Sequence, residues 1–365
     1  MSIRIGDKNI SKKRCFVIAE AGVNHNGDVD IAKELIDIAI GSGSDAVKFQ
    51  TFKAEEIVTA DAKQAEYQSK NIGKKQSQYE MLKTLELTYD NFRELKKYCD
   101  KNGIIFMSTP HSCKEDVDLV SELCPAIKIG SGDLTNIPLL KYVAEKQLPV
   151  ILSTGMSTLE EVKEAFNTVF SVNESLILLH CTSNYPAPLN EVNLRAIITM
   201  EKEFCIPVGY SDQTLGIAVG IAAASLGATV IEKHFTIDED MNGPDHKASI
   251  KPDELKKMVN EIRKVSSRLN SGESWESIIK ELGILEVLGD GVKRPMPCEL
   301  NTMEVARKSI VASIDISKGD VITQNMISVK RPGTGLNPKH YWNVIGMKTK
   351  TNIKKDTLIS FNDLI

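Results

Sequence analysis

Five ionisable side chains stand inside or at the end of short apolar stretches, where such residues are rare. They are Glu20, Lys48, Lys128, Glu232 and His234. Because a desolvated charge is costly unless another group compensates it, we expect these side chains to gather around one polar cavity. The alternative is a set of internal ion pairs that only stabilises the fold. The number of such groups favours a catalytic pocket.

Hydroxyl side chains follow the same apolar stretches. The serines concerned are Ser131, Ser153, Ser183 and Ser211. Together with two lysines, these hydroxyls suit a ligand that carries both a phosphate and a carboxylate. We therefore predict that the cavity binds a small anionic substrate.

Two carboxylates and one imidazole extend this chemistry. Glu20 and Asp133 could act as general acid and base or hold sugar hydroxyls. His234 is a candidate ligand for a divalent metal ion that takes its other ligands from substrate and water. A single histidine at a strand end is otherwise a hydrogen-bonded structural residue. The ionisable neighbours of His234 favour the metal ligand.

The apolar stretches recur eight times in the first 270 residues, and amphipathic helical patterns separate most of them. They are Phe16–Glu20, Ala46–Gln50, Ile104–Ser108, Ala126–Gly130, Val150–Ser153, Leu176–His180, Val208–Ser211 and Val230–His234. This α/β alternation predicts parallel strands joined by right-handed crossovers, closed into a (β/α)8 TIM barrel. A doubly wound open sheet is the competing architecture, and the sequence gives no clear point where strand order would reverse. In a barrel, the polar residues above would meet at the C-terminal ends of the strands.

The sequence divides into three parts. Residues 1–285 would form the barrel, and a linker with glycine and proline signals follows at 286–304. Residues 305–365 show short β-type runs arranged as two related halves, so that Ile316 in one half is matched by Ile353 in the other. We expect a small β-rich C-terminal domain.

Composition limits the function classes. Forty-five Lys and Arg residues against 49 Asp and Glu residues give a net charge of −4, which argues against a nucleic-acid partner. Seven cysteines without a C-x-x-C pair predict reduced thiols and a cytoplasmic location. The longest apolar run, Leu215–Ile231, is interpreted as a buried helix that leads into a strand, not as a membrane span.

Several motifs together resemble the sialic acid synthase family, which includes the legionaminic acid synthases. They are the segments 16–27, 47–51, 128–132, 151–156, 180–186, 232–235, 243–246 and 330–333. They span almost the whole chain in the order typical of the family. The resemblance implies a TIM barrel followed by an antifreeze-like (SAF, β-clip) domain. It also implies condensation of phosphoenolpyruvate with an N-acetylated mannosamine-type sugar and water, which gives a nine-carbon 2-keto acid and phosphate.

The resemblance also implies roles for individual residues. Catalytic roles would fall to Glu20, Lys48, Asp133 and His234. The phosphate of phosphoenolpyruvate would be held by Lys128, Ser131, Ser153, Ser183 and Ser211. Its carboxylate would meet Lys48 and Thr109. The sugar would face Glu20, Gln50, Asp133, Tyr185 and Asp245.

Two further implications concern the metal and the assembly. The family uses a divalent ion such as Mn²⁺ or Mg²⁺, which His234 would bind. A second family ligand, a histidine after the seventh strand, is replaced here by Gln213, whose carbonyl oxygen can bind a hard cation but binds transition metals more weakly than an imidazole does. A domain-swapped homodimer is implied as well, in which Arg331 would reach the sugar site of the neighbouring subunit.

Three alternatives remain at this point. The sugar expected is N-acetylmannosamine, giving N-acetylneuraminate; the alternative is a 2,4-diacetamido-2,4,6-trideoxy-mannose, giving N,N'-diacetyllegionaminate. The insertion at residues 67–78 is the candidate segment that distinguishes them. Lys48 or Lys128 could instead form a Schiff base, as in an aldolase. A non-enzymatic reading is a carbohydrate- or ice-binding protein.

Overall fold

The computed structural model describes residues 3–111 and 113–365, and its centre is a barrel of eight parallel strands. A short N-terminal hairpin, β1 (Arg4–Ile5) and β2 (Lys8–Asn9), precedes it. The barrel strands are β3 (Phe16–Gly22), β4 (Ala46–Thr51), β5 (Ile105–Pro110), β6 (Ile127–Ile129), β7 (Val150–Ser153), β8 (Leu176–Cys181), β9 (Val208–Asp212) and β10 (Val230–His234). Their order is β5-β4-β3-β10-β9-β8-β7-β6, and β5 contacts β6 without a described ladder, so the barrel is nearly closed. All eight predicted strands, and the predicted fold class, are confirmed.

Helices follow the barrel strands, and most of the long ones bury an apolar face. Those of the barrel part are α1 (Val29–Ser42), α2 (Ala54–Ile57), α3 (Glu66–Ile72), α4 (Gln78–Lys83), α5 (Tyr89–Asn102), α6 (Lys114–Leu123), α7 (Ile137–Glu145), α8 (Leu159–Phe170), α9 (Arg195–Phe204), α10 (Ala218–Ser225), α11 (Pro252–Asn270) and α12 (Trp275–Leu282). In α1, Asp28 caps the first turn through the N–H groups of Asp30 and Ile31, and Gly43 ends the helix in the left-handed region. Local sequence signals therefore fix where the helix begins and ends.

The run from Leu215 to Ile231 forms α10 and the start of β10, as predicted. Seven residues of α10 are buried. Within the described residues, no helix is both long and apolar enough to cross a membrane.

The insertion after β4 folds into three short helices. Its helices α2, α3 and α4 pack around a small apolar cluster of their own, which includes Phe52, Ile57, Met81 and Leu85. This cluster also takes in Val23 from the loop after β3. The insertion is thereby held beside the C-terminal ends of the first two barrel strands.

The C-terminal domain has a separate apolar core. It contains α13 (Leu300–Ala306) at its entrance, the antiparallel strands β11 (Ser309–Ala312) and β12 (Ile327–Lys330), and α14 (Tyr341–Val344). Ile316 and Ile353, the matched residues of the two related halves, face each other in an antiparallel bridge. The β-rich character of this domain is confirmed, whereas the boundaries at 285 and 305 stay predictions.

A buried ion pair lies on the outer side of β9 and β10. The ammonium of Lys233 is 2.9 Å from a carboxylate oxygen of Asp212, and both side chains are fully buried. Lys233 also donates to the carbonyl of Thr214, and Asp212 accepts from the Thr214 N–H. Because side chains alternate along a strand, this pair fixes the strand ends while Glu232 and His234 point to the other side.

We predict that Lys233→Met lowers the free energy of unfolding by about 3–5 kcal/mol, because it leaves the Asp212 carboxylate buried and uncompensated. Urea denaturation at neutral pH measures this change. Lys163→Met is the control, since Lys163 pairs with Glu203 on the surface and should matter little. If Lys233→Met lowers the free energy of unfolding no more than the control does, the buried ion pair does not have the predicted role.

Candidate active site

A cavity of about 150 Å³ lies at the C-terminal ends of the barrel strands, where the polar residues were expected to meet. Fourteen of the fifteen residues predicted for the site line it. They are Glu20, Lys48, Gln50, Thr109, Lys128, Ser131, Ser153, Ser183, Tyr185, Ser211, Gln213, His234, Asp245 and Arg331. Asp133 is the exception. Residues spread over three hundred positions therefore share one cavity.

Two lysines and two glutamates in this cavity form a chain of ion pairs in which positive and negative charges alternate. Lys48 Nζ lies 2.7 Å from Glu20 Oε2 and 3.7 Å from Glu232 Oε2, and Lys128 Nζ lies 3.4 Å from Glu232 Oε1. All four side chains are buried. Lys48 also donates to Thr109 Oγ1 at 2.9 Å. The sequence singled out Glu232 but gave it no role, and here it stands between the two lysines.

The two carboxylates of this cluster have different environments. Burial raises the pKa of Glu20, and repulsion by Glu232 adds to the rise in spite of Lys48. Burial alone would also raise the pKa of Glu232, but the charges of Lys128 and Lys48 outweigh it and hold that pKa below its usual range. The cluster therefore favours an ionised Glu232 and makes Glu20 the easier of the two to protonate.

The pKa values of the two lysines shift in opposite directions. Burial opposes the charge of Lys48, yet Glu20 and Glu232 outweigh it and raise the pKa of Lys48 above its usual value. Burial dominates at Lys128, and its pKa is lowered. Lys48 is thus held as an ammonium, which suits the binding of an anion and disfavours a Schiff-base role for this residue.

Serine hydroxyls from neighbouring strand ends surround Gly155. A Cβ atom on Gly155 would lie 2.1 Å from Ser183 Oγ and 2.8 Å from Ser131 Oγ, so only glycine fits there. The Gly155 N–H donates to Ser131 Oγ at 3.0 Å. The hydroxyl of Ser153 is buried without a described partner. This cluster presents donors to an anion.

Aromatic and apolar side chains form another part of the wall. Tyr185 stacks on Tyr67 of the insertion at 5.0 Å between ring centroids, and its edge contacts the ring of His234. Met81, Leu85 and Val305 also line the cavity. The insertion expected to contact the substrate therefore reaches the cavity, through Tyr67 and its neighbours.

Arg331 lies in the cavity of its own chain, which differs from the expected placement in a neighbouring subunit. Its N–H donates to the carbonyl of Ile57 at 2.9 Å, and its carbonyl accepts from the N–H of Thr59 at 3.0 Å. These bonds join the C-terminal domain to the insertion within one chain. A domain swap is therefore not needed to bring the guanidinium to this site, and the homodimer stays a prediction.

Asp133 belongs to a buried cluster outside the cavity lining. Its Oδ1 accepts from Lys308 Nζ at 2.6 Å and from Asn136 Nδ2 at 2.9 Å, and its Oδ2 lies 3.6 Å from His111 Nδ1. Burial lowers the pKa of His111 to about 4. The predicted direct role of Asp133 in catalysis or sugar binding stays untested. Its contacts indicate that it secures the first residues of the C-terminal domain.

Two buried polar atoms that could bind a metal ion, Gln213 Oε1 and His234 Nδ1, have no described hydrogen-bond partner. Gln213 Nε2 instead donates to Ser211 Oγ at 3.1 Å. One oxygen and one nitrogen donor fit a divalent ion that completes its shell with water and substrate. In the described part of the chain, no group of three or more His, Cys, Asp or Glu side chains is placed to hold a metal ion.

Some residues around the site were not found from the sequence. They include Lys308 and Glu299, which contact the site from the C-terminal side of the barrel. Each follows the barrel by more than a dozen residues and lacks a local motif, so only the folded chain brings it to the strand ends. Tyr67 fell inside the predicted insertion but had no separate signal.

Comparison with known proteins defines the class. The sequence profile of the NeuB family matches residues 35–274, and that of the SAF domain matches residues 307–365. The chain is 43% identical to N,N'-diacetyllegionaminic acid synthase of Campylobacter jejuni, over 95% of this chain and 99% of that protein. It is 36% identical to human N-acetylneuraminate-9-phosphate synthase, over 94% and 91% of the two chains. The crystal structure of SpsE, a spore coat polysaccharide biosynthesis protein of Bacillus subtilis, matches with a TM-score of 0.84 and 33% identity, over 100% and 99% of the chains.

The chain therefore belongs to the NeuB family and carries a C-terminal SAF domain. This confirms the resemblance seen in the sequence. It is a phosphoenolpyruvate-dependent transferase that forms carbon–carbon bonds.

We predict that Asp133→Asn lowers the free energy of unfolding at pH 7 by about 3–5 kcal/mol, because Lys308 stays buried without a counter-charge. Burial alone would raise the pKa of Asp133, but Lys308 outweighs it and lowers that pKa. The contribution of the ionised carboxylate is therefore complete at neutral pH and is lost as the pH falls through its folded-state pKa. Urea denaturation between neutral and acidic pH should show the difference between the two proteins shrinking toward acid.

The exposed carboxylate of Asp315, which pairs with Lys354, provides the control variant Asp315→Asn. This substitution should change the free energy of unfolding little at any pH. Equal stability of wild type and Asp133→Asn at pH 7 would show that the Lys308 pair does not secure the domain.

Proposed function

We propose that this enzyme condenses phosphoenolpyruvate with 2,4-diacetamido-2,4,6-trideoxy-mannose in its open-chain aldehyde form. Water is consumed, and the products are N,N'-diacetyllegionaminate and phosphate. The observation that carries the proposal is the pairing, in one cavity, of a lysine and serine cluster with an aromatic and apolar wall. Support also comes from the relatives: two legionaminic acid synthases, 43% and 44% identical, stand above the neuraminate-9-phosphate synthases at 36% and 35%.

The polar half of the cavity, which contains the two lysines, Thr109 and the serines, would hold phosphoenolpyruvate. Lys128 and the serine hydroxyls near Gly155 would bind the phosphate, and Lys48 with Thr109 would bind the carboxylate. The existing hydrogen bond between Lys48 and Thr109 supports this assignment because both groups are already directed to one point. Fixed donors in a dry cavity need no reorganisation when the substrate binds.

The apolar half of the cavity, which contains Met81, Leu85, Val305 and the two tyrosines, would bind the sugar. A 6-deoxy sugar with two acetamido groups carries three methyl groups, and Met81, Leu85 and Val305 offer apolar contacts for them. Burying a methyl group in such contacts contributes roughly 0.8 kcal/mol. N-Acetylmannosamine has a hydroxyl group at C6 and no acetamido group at C4, so it would gain less here. Tyr185, Asp245, Gln50 and Arg331 would hold the polar groups of either sugar.

The reaction would proceed by attack of C3 of phosphoenolpyruvate on the aldehyde carbon. Positive charge then develops at C2, where the carboxylates of Glu20 and Glu232 stabilise it. Water adds at C2, and the tetrahedral intermediate loses phosphate to leave the 2-keto acid. Placing both substrates in one cavity makes the encounter intramolecular, an effect worth roughly 7–11 kcal/mol of the barrier. Glu20, the more easily protonated carboxylate, is the better candidate for proton transfer.

His234 and Gln213 would hold a divalent metal ion, Mn²⁺ or Mg²⁺. When bound, such an ion polarises the aldehyde oxygen as a Lewis acid. The unpartnered Gln213 Oε1 supports this role, since an amide oxygen suits a hard cation.

We expect the purified protein, supplied with phosphoenolpyruvate and Mn²⁺, to use the diacetamido-trideoxy sugar with a kcat/KM at least tenfold above that for N-acetylmannosamine. That ratio corresponds to about 1.4 kcal/mol, roughly the contribution of the added methyl contacts. Parallel assays of phosphate release and 2-keto acid formation measure it. Preference for N-acetylmannosamine would reject the sugar assignment, and no product from any 2-acetamido-mannose would reject the reaction.

We also predict that Gln213→His binds Mn²⁺ more tightly, by about tenfold or more, because an imidazole nitrogen replaces a neutral amide oxygen. Electron paramagnetic resonance of free Mn²⁺ measures this without turnover. Lys247→Met, on an exposed lysine in the segment after β10, is the control. Unchanged Mn²⁺ affinity in Gln213→His would exclude residue 213 as a ligand.

Location and assembly stay predictions. The seven cysteines are all free, which agrees with a reducing compartment such as the cytoplasm.

A further inference from the structure

The chain that leaves the barrel passes behind the serine cluster before it enters the C-terminal domain. We call residues 293–308 the connecting segment. Its residue Glu299 is almost fully buried, at 1% exposure, although it lies outside the cavity lining. A buried carboxylate outside the described charge cluster requires its own explanation.

Glu299 binds two loops that carry the serines. Its Oε1 accepts from the Met156 N–H and from the Ser183 N–H, each at 2.7 Å. Its Oε2 accepts from the N–H of Met296 in the connecting segment at 2.8 Å. One oxygen thus joins the loop after β7, the strand that ends at Ser153, to the loop after β8, which carries Ser183.

Met156 is held on both sides of its backbone. It has a positive φ of 60°, which is unfavourable for a residue with a side chain. Its N–H donates to Glu299, and its carbonyl accepts from Arg307 Nη2 at 2.7 Å. Arg307 also forms a bidentate pair with Glu161, both contacts being 2.8 Å. The connecting segment therefore imposes this backbone conformation from two positions.

The backbone held at Met156 is adjacent to Gly155, around which Ser131 and Ser183 are packed. A movement of this loop would therefore change the separation of the hydroxyls. Burial lowers the pKa of Lys293, which lies in the same segment and is attracted by Glu299. Three N–H donors compensate the Glu299 carboxylate.

We propose that Glu299 is a positioning residue for phosphoenolpyruvate: it fixes the loops of Ser153 and Ser183 so that their hydroxyls converge on the phosphate. The proposal rests on the proposed function, since it assumes that these serines bind that phosphate. It gives the segment before the C-terminal domain a role at the phosphate end of the cavity, whereas Arg331 belongs to the sugar end.

The test compares Glu299→Gln with wild type. The variant keeps the shape of the side chain, but it removes the charge and turns an amide NH₂ toward one of the three N–H donors. Calorimetry with phosphoenolpyruvate alone, in the absence of sugar, measures binding without turnover. We expect affinity to fall by about tenfold or more. In steady-state assays, the KM for phosphoenolpyruvate should rise by a similar factor while the KM for the sugar changes less than about twofold.

Glu304→Gln is the matched control, because Glu304 is an exposed carboxylate on α13, the helix that follows Glu299. It should bind phosphoenolpyruvate like wild type. Unchanged affinity in Glu299→Gln, or equal increases in both KM values, would overturn the proposal. If wild type itself does not bind phosphoenolpyruvate, the proposed function fails instead.

Arg307→Lys provides a second variant in case Glu299→Gln does not fold. It keeps the positive charge, but a single ammonium cannot reproduce the planar set of N–H donors that binds both Glu161 and the Met156 carbonyl. We expect a smaller loss of phosphoenolpyruvate affinity with the same selectivity between the two KM values. A folded Arg307→Lys protein with wild-type affinity would count against positioning by the connecting segment.

Discussion

The burial of Glu20, Lys48, Glu232 and Lys128 at one end of the barrel is the constraint on which the rest of the site depends. Each charge is costly without a counter-charge, and the alternation of signs supplies one for every member. The strands must therefore keep their register, since a shift by one residue would move these side chains to the other face. The outer pair of Lys233 and Asp212 helps to fix that register from outside.

The C-terminal part of the chain completes the site through contacts of different kinds. Lys308 pairs with Asp133 below the cavity, Arg307 and Glu299 hold the loop at Met156, and Arg331 enters the cavity beside the insertion. Each contact joins the C-terminal segment to a different strand end. Displacement of the C-terminal domain would therefore disturb both the polar and the apolar half of the cavity.

The sequence allowed the barrel and most of the polar residues that line the cavity to be predicted, because most of them follow from local patterns. An apolar strand that ends in a polar side chain can be identified from a few residues, and the barrel strands with the loops that follow them bring most of the predicted residues to one place. Contacts between distant segments leave no such pattern. Asp133 looked like the other strand-end carboxylates, and its partner Lys308 lies 175 residues away. The same holds for Glu299, because two of its three N–H donors belong to loops more than a hundred residues earlier. For Arg331, the family motif identified the residue but not the chain whose cavity it enters.

The central claim is that Lys48 and Lys128, kept in place by two carboxylates, bind phosphoenolpyruvate in this cavity. Equilibrium calorimetry with phosphoenolpyruvate on wild type, Lys48→Met, Lys128→Met and the exposed control Lys247→Met tests it most directly. The account predicts at least a tenfold loss of affinity for each cavity variant and none for the control, about the contribution expected of a hydrogen bond to a charged group. Wild-type affinity in both cavity variants, with their folds intact, would contradict it.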